Sequence, residues 1–128
     1  MSHVFSLTDP EAVQNLMVRG SGPAIIDFWA GWCAPCRAMK PVYESVAEAF
    51  ADSEVGFYSL DTEAHKDLAR NFRVRSLPTL LFIDDGEVVD SVLGRIDGKR
   101  LTRKVEWLIR RSRGEGLLSR IASTLRRS

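Results

Sequence analysis

The 128-residue sequence predicts one α/β domain built around a sheet, and three observations carry that reading. Stretches with helical spacing alternate with short β-patterned runs along the chain. One of those runs, "AIIDFW", is apolar everywhere except at Asp27, the pattern of a central strand buried on both faces. Two later runs flank Asp85-Gly86, a dipeptide suited to the left-handed conformations of a tight hairpin, so the sheet is expected to end in antiparallel strands.

The elements follow in order. The first residues, His3 among them, read as a frayed end. Thr8 stands three residues before Glu11, with Pro10 in the first turn, a capping-box pattern that opens a helix running to about Val18. "RGSGP" breaks the chain before the strand that holds Asp27. From Cys33 onward Met39, Val42, Val46, Ala49 and Phe50 recur at helical spacing, with Pro41 expected to kink that helix because it has no N–H to give one turn back. "EVGFYSLD" is a strand, and "EAHKDLARNF" a short helix with Leu68, Ala69 and Phe72 on one face. "SLPTLLFID" and "EVVDSVLG" form the hairpin. Residues 99–111 make a last core helix, with Leu101, Val105, Leu108 and Ile109 on one stripe and Trp107 beside it. After "RGEG", whose glycines are expected to end that helix, Leu117, Leu118, Ile121, Ala122 and Leu125 share one arc of a helical wheel, and Arg120, Arg126 and Arg127 face the other way. The expected organisation is a domain over residues 1–112 and a basic amphipathic extension over residues 113–128.

Composition narrows the function classes. With 45% hydrophobic and 27% charged residues, the chain has the make-up of an ordinary globular protein, and no apolar run approaches the roughly 20 residues that span a bilayer. The start, "MSHVFSLTDPEAVQ", lacks the basic and apolar regions of a secretory signal, so a cytoplasmic location is expected. Residues 1–94 carry seven basic against fourteen acidic residues, a net −7, whereas residues 95–128 carry eleven against three, a net +8. An acidic body thus ends in a basic tail, which reads as an extra helix on the domain or as a surface for a partner protein or anionic membrane. Nucleic acid is not expected, because the aromatic and motif signals that accompany such binding are absent.

The chemistry sits in "DFWAGWCAPCRAMKP", which holds both cysteines. A zinc site needs four ligands, and only His3 and His65 are on hand to join Cys33 and Cys36, at unsuitable spacing. A purely structural disulfide across two residues closes too short a loop to constrain the unfolded chain much. A dithiol that cycles between reduced and disulfide forms fits an α/β chain better. A Cys33 at the helix start would meet unpaired backbone N–H groups and the positive end of the helix dipole, which favour a thiolate, while Cys36 would lie one turn inside. Pro35 suits that first turn, where its missing N–H is not needed.

"DFWAGWCAPC" together with "SLPT" resembles the thioredoxin family over roughly residues 5–111. The resemblance implies the thioredoxin fold, a central mixed β-sheet flanked by helices, here with an additional C-terminal amphipathic helix. It implies a protein-disulfide reductase that acts on protein disulfide substrates by thiol–disulfide exchange, with Cys33 attacking and Cys36 resolving. It also implies re-reduction by an NADPH-dependent, flavin-containing thioredoxin reductase, with no cofactor held by this chain, no metal, and a monomer as the simplest state.

Further roles follow by position. Asp27 matches the family's buried aspartate, which helps deprotonate the second cysteine; burial is expected to raise its pKa. The strand position commonly filled by a lysine near that aspartate carries Ser59 here, which is expected to leave Asp27 more easily protonated. Pro78 matches a cis-proline facing the cysteines, with the Ser76-Leu77 backbone placed to pair with a substrate strand. Trp32 is expected as an exposed apolar rim and Trp29 as half-buried support. Gly94 is expected to leave room for substrate beside Leu93. Ala34 stands where the commonest members have glycine, at one of the two positions that tune thiolate stability and potential. Two rival readings stand beside the reductase: a specialised oxidant or isomerase, and an interaction module working through the basic tail.

Overall fold

A computed structural model describes the backbone of residues 2–127 and the side chains of residues 2–114. Among the described residues five strands and four helices follow in the order β1 Val4–Ser6, α1 Pro10–Leu16, β2 Ala24–Trp29, α2 Ala34–Ala49, β3 Gly56–Asp61, α3 Lys66–Asn71, β4 Thr79–Asp84, β5 Glu87–Leu93 and α4 Gly98–Arg127. The sheet order is β1-β3-β2-β4-β5. β1 and β2 run parallel to β3, while β2–β4 and β4–β5 are antiparallel, so the sheet is mixed and β2 lies at its centre.

The side-chain alternation of β2 and β4 builds a core on each face. Ile25 of β2 with Leu80 and Phe82 of β4 packs against Met39, Tyr43 and Val46 of α2 and Leu101, Val105 and Leu108 of α4. Ile26 and Phe28 with Leu81 and Ile83 pack on the other side against Val13 and Leu16 of α1 and Leu68 of α3. Asp27 shares the parity of Ile25 and therefore lies on the face that α2 covers. Buried Tyr43 locks that helix to the sheet, its hydroxyl lying 3.1 Å from the Ile25 carbonyl and 2.8 Å from the Tyr58 carbonyl.

Several expectations are corrected. The N-terminus is not frayed: Val4, Phe5 and Ser6 pair with Phe57, Tyr58 and Ser59 as an edge strand. The cap of α1 is Asp9, whose carboxylate accepts the Ala12 N–H at 2.9 Å, rather than Thr8, because Pro10 fits the first helical position directly after it. α2 spans Ala34–Ala49 with Pro41 inside it, as the helical spacing from Cys33 onward predicts. The hairpin is as expected, with Asp85 at φ 53° and Gly86 at φ 81°. A Cβ on Gly86 would stand 2.7 Å from the Met17 carbonyl oxygen, so glycine is needed there for space as well as for conformation.

The "RGEG" glycines do not end α4, which runs unbroken from Gly98 to Arg127. Glycine disfavours a helix interior by roughly 1 kcal/mol, but unlike proline it keeps its donor and makes no clash. α4 is tied to the body by Lys104 to Asp90 at 2.7 Å, by Arg111 to Asp84 at 3.6 Å, and by a two-pronged Arg113–Glu54 contact at 2.8 and 3.0 Å. The amphipathic arc of Leu117, Leu118, Ile121, Ala122, Leu125, Arg120, Arg126 and Arg127 lies outside the described side chains.

Candidate active site

Central strand β2 ends at Trp29, and the chain passes through Ala30-Gly31-Trp32 into the start of α2. Cys33 is the cap residue of that helix, in extended conformation, and its Sγ accepts the N–H of Cys36 at 3.3 Å. Ala34 and Pro35 fill the exposed first turn, so the proline removes no needed donor. Cys33 and Cys36 are joined by a disulfide, with Cα atoms 5.3 Å apart. Residue exposure does not separate the two sulfurs, at 3% and 2%; their backbone positions do. Cys33 holds the orphan amides of the helix start, and Cys36 sits one turn inside.

Around the pair the chain assembles a small apolar platform. Cys33, Cys36 and Ala30 pack together with Trp29 and Leu77. Leu77 precedes Pro78 through a cis peptide bond. The Pro78 carbonyl accepts the Gly94 N–H at 2.8 Å, so the end of β5 is fastened beside this loop. Exposed Ser76 has its carbonyl engaged by the Thr79 hydroxyl at 2.7 Å, which leaves that oxygen one lone pair. Gly94, at φ 88°, has open space where a Cβ would be, and Leu93 beside it is 69% exposed. Trp32, directly before Cys33, is 67% exposed and presents a large apolar surface beside the helix start. The Arg37 guanidinium closes the loop by donating to the Gly31 carbonyl at 2.6 Å.

Behind Cys36 lies a cleft of about 530 Å³, whose lining includes Cys36, Asp27, Lys40, Ser59 and Trp29. Cys33 is not among its lining residues. Asp27 is 4% exposed, and its Oδ1 has no hydrogen-bond partner among the described residues. Burial is the main cause that pushes its pKa from 3.8 up to about 7, opposed by the ammonium of Lys40. Ser59 is the β3 register partner of Asp27, as the sequence reading placed it.

Lys40 is the residue that sequence reading missed. A signal for it existed, since it follows Cys36 by four positions and so stands on the same face of α2. His65, by contrast, merely precedes α3 and makes no side-chain cap.

A bridged Cys-X-X-Cys at a helix start, backed by a buried carboxylate, defines a thiol–disulfide oxidoreductase site. The thioredoxin family model matches residues 4–107. The chain is 33% identical over 106 residues to thioredoxin 1 of Synechococcus elongatus, covering 83% of this chain and 97% of that one. It is 37% identical over 95 residues to the chloroplastic M-type thioredoxin of Pisum sativum, covering 74% of this chain but only 55% of the pea protein. Its fold is similar to that of Malassezia sympodialis thioredoxin, with a TM-score of 0.75 at 28% identity, covering 84% of this chain and 91% of that one. The oxidised mitochondrial thioredoxin 3 of Saccharomyces cerevisiae matches with a TM-score of 0.70 at 26% identity over 80% of this chain and 93% of that one. The chain belongs to the thioredoxin family, whose members act as thiol–disulfide oxidoreductases.

Proposed function

We propose that this chain is a protein-disulfide reductase that works by a two-step exchange at Cys33 and Cys36. The observation that carries the reading is the capping geometry: the Cys36 N–H already points at Cys33 Sγ, as a donor placed to stabilise a thiolate there after reduction. In the first step the Cys33 thiolate attacks one sulfur of a substrate disulfide. A Cys33–substrate bond forms, the substrate S–S bond breaks, and the departing substrate sulfur takes a proton. In the second step Cys36 gives its proton to Asp27 and attacks Cys33, forming the Cys33–Cys36 bond and expelling the second substrate thiolate. Two electrons have then passed from the dithiol to the substrate. Reduction of the bridge by an NADPH-dependent thioredoxin reductase restores the starting state.

The remaining roles rest on position. Trp32, Leu77 and the loop through Pro78, with Ser76 before it, frame the apolar approach to the cysteines, and Gly94 leaves that approach open. Ala34 and Pro35, in the exposed first turn, complete the substrate-facing surface. The chain is proposed to act in the cytoplasm as a monomer. The test is insulin-disulfide reduction driven by NADPH and a thioredoxin reductase, comparing wild type, Cys33→Ser and a chain ending at Arg113. Turnover by wild type and by the shortened chain, with none in Cys33→Ser, is the expected result. A wild type that forms the dithiol yet reduces no insulin overturns the reading.

A further inference from the structure

We infer that α4 carries a docking face for an anionic membrane surface, cationic where the helix packs on the domain and apolar toward its C-terminal end.

The face follows from the register of one unbroken helix. Arg100, Arg103, Lys104 and Trp107 stand at i, i+3, i+4 and i+7 and, with Asp90 of β5, line a hollow of about 330 Å³. Eighteen residues further along, or about five whole turns, come Leu118, Ile121, Ala122 and Leu125. Leu118 therefore shares a helix face with Arg100, Ile121 with Arg103, Ala122 with Lys104 and Leu125 with Trp107. The core stripe continues differently. The same step from Leu101, Val105 and Leu108, which are buried against the sheet, reaches Ser119, Ser123 and Arg126. The apolar stripe of α4 thus changes faces along its length, and the C-terminal arc is out of register with the domain's own core.

The domain end of this face is cationic and only partly neutralised. Residues 98–114 hold seven basic residues and one acidic residue, Glu106. Lys104 is paired with Asp90, Arg111 with Asp84 and Arg113 with Glu54. Arg100, Arg103 and Arg110 are exposed, and their guanidinium groups have no hydrogen-bond or ion-pair partner among the described residues. Trp107, packed against the core yet lining the hollow, adds an indole, a side chain suited to the boundary between apolar and wet surroundings.

A face that calls for anions at one end and apolar contact at the other is a poor match for a second copy of itself. Parallel pairing of two α4 helices would set unpaired guanidiniums against their own images, and antiparallel pairing would bury them against leucines. An anionic bilayer meets both demands at different depths. Its phosphates receive the arginines, and an apolar helix face enters the acyl boundary by about 5–10 Å. Thirty residues give roughly 45 Å of helix, long enough to present both ends to one surface. The helix lies on that surface and does not cross it: among the described residues no helix is long and apolar enough to span a membrane, and Ser119, Arg120 and Ser123 take the other side of the wheel. The platform around the cysteines, built from Trp29, Ala30, Cys33, Cys36 and Leu77, contains no α4 residue, so docking leaves the exchange chemistry open.

The experiment measures flotation of the oxidised full chain with vesicles of equal parts phosphatidylglycerol and phosphatidylcholine, and with phosphatidylcholine alone, at about 0.1 M salt. Binding to the anionic vesicles is expected to be at least about tenfold tighter and to weaken as salt rises. Arg100→Gln with Arg103→Gln is expected to loosen it about tenfold or more. Ile121→Asp is expected to loosen it well over tenfold, whereas Ser123→Asp, with the same charge change on the other face, costs about fivefold or less. Insulin reduction at the wild-type rate shows that each variant is folded, and sedimentation without lipid is expected to show a monomer. Equal binding to both kinds of vesicle, or equal loosening by Ile121→Asp and Ser123→Asp, overturns the inference. So does a lipid-free dimer that Ile121→Asp dissociates, which would give the face to a second copy. A chain that reduces insulin but floats with neither vesicle loses the docking face alone; one that floats as expected but reduces no insulin keeps it and loses only the reductase reading.

Discussion

Replacing Asp27 by asparagine should make the oxidised protein more stable at high pH and leave it nearly unchanged at low pH. A carboxyl whose pKa is raised by folding, from 3.8 to about 7, keeps its proton longer in the folded than in the unfolded chain. Below about 4 both states are protonated and the group contributes nothing. Between the two values the folded state binds more protons, so stability falls as pH rises. Above about 7 both states are ionised and the full penalty remains. About three pH units at 1.36 kcal/mol each give roughly 4 kcal/mol, and water in the cleft lowers this to about 2–4 kcal/mol. Asparagine keeps the shape and removes the charge. Urea unfolding of wild type and Asp27→Asn at about pH 4 and about pH 8.5 isolates this contribution, because the other titrating groups are common to both proteins. The stability difference should move toward the variant by about 2–4 kcal/mol between those conditions. A difference independent of pH would show that Asp27 titrates as an ordinary carboxyl, and the argument from burial would fail.

Other outcomes test the rest of the molecule. Cys36→Ser should accumulate a stable Cys33–substrate disulfide, visible by intact mass, because the resolving sulfur is gone; absence of the adduct would reverse the assignment of the two thiols. Trp32→Ala should raise KM for protein disulfides by roughly tenfold, the equivalent of about 1.4 kcal/mol of contact, while leaving the rate with a small aromatic disulfide unchanged. Gly86→Ala should lower stability by about 1–3 kcal/mol, measured by urea unfolding, through both its positive φ and the 2.7 Å approach to the Met17 carbonyl. Leu108→Ala, deep between α4 and the sheet, should cost about 2–5 kcal/mol by the same measurement.

Much of this protein was legible in the order of its residues, because the signals were local. The apolar run around Asp27 announces a strand covered on both faces, and Asp85-Gly86 announces a hairpin, since each depends on the side chains and allowed dihedrals of a few neighbours. The cysteine spacing with Pro35 likewise places a thiol at a helix start. What needed the folded chain was everything set by partners distant in sequence. β1 is three residues long and becomes a strand only by pairing with Phe57, Tyr58 and Ser59. α4 passes its glycines although local propensity argues for a stop, with its core half held down by Leu101, Val105 and Leu108 and by ion pairs to the body. Lys40 and Asp27 are thirteen residues apart and lie on different elements, so their shared cleft exists only once α2 is packed on β2. Local chemistry selected the elements and the nucleophile; packing decided which charge faces the buried carboxylate, because electrostatic influence follows distance in space rather than along the chain.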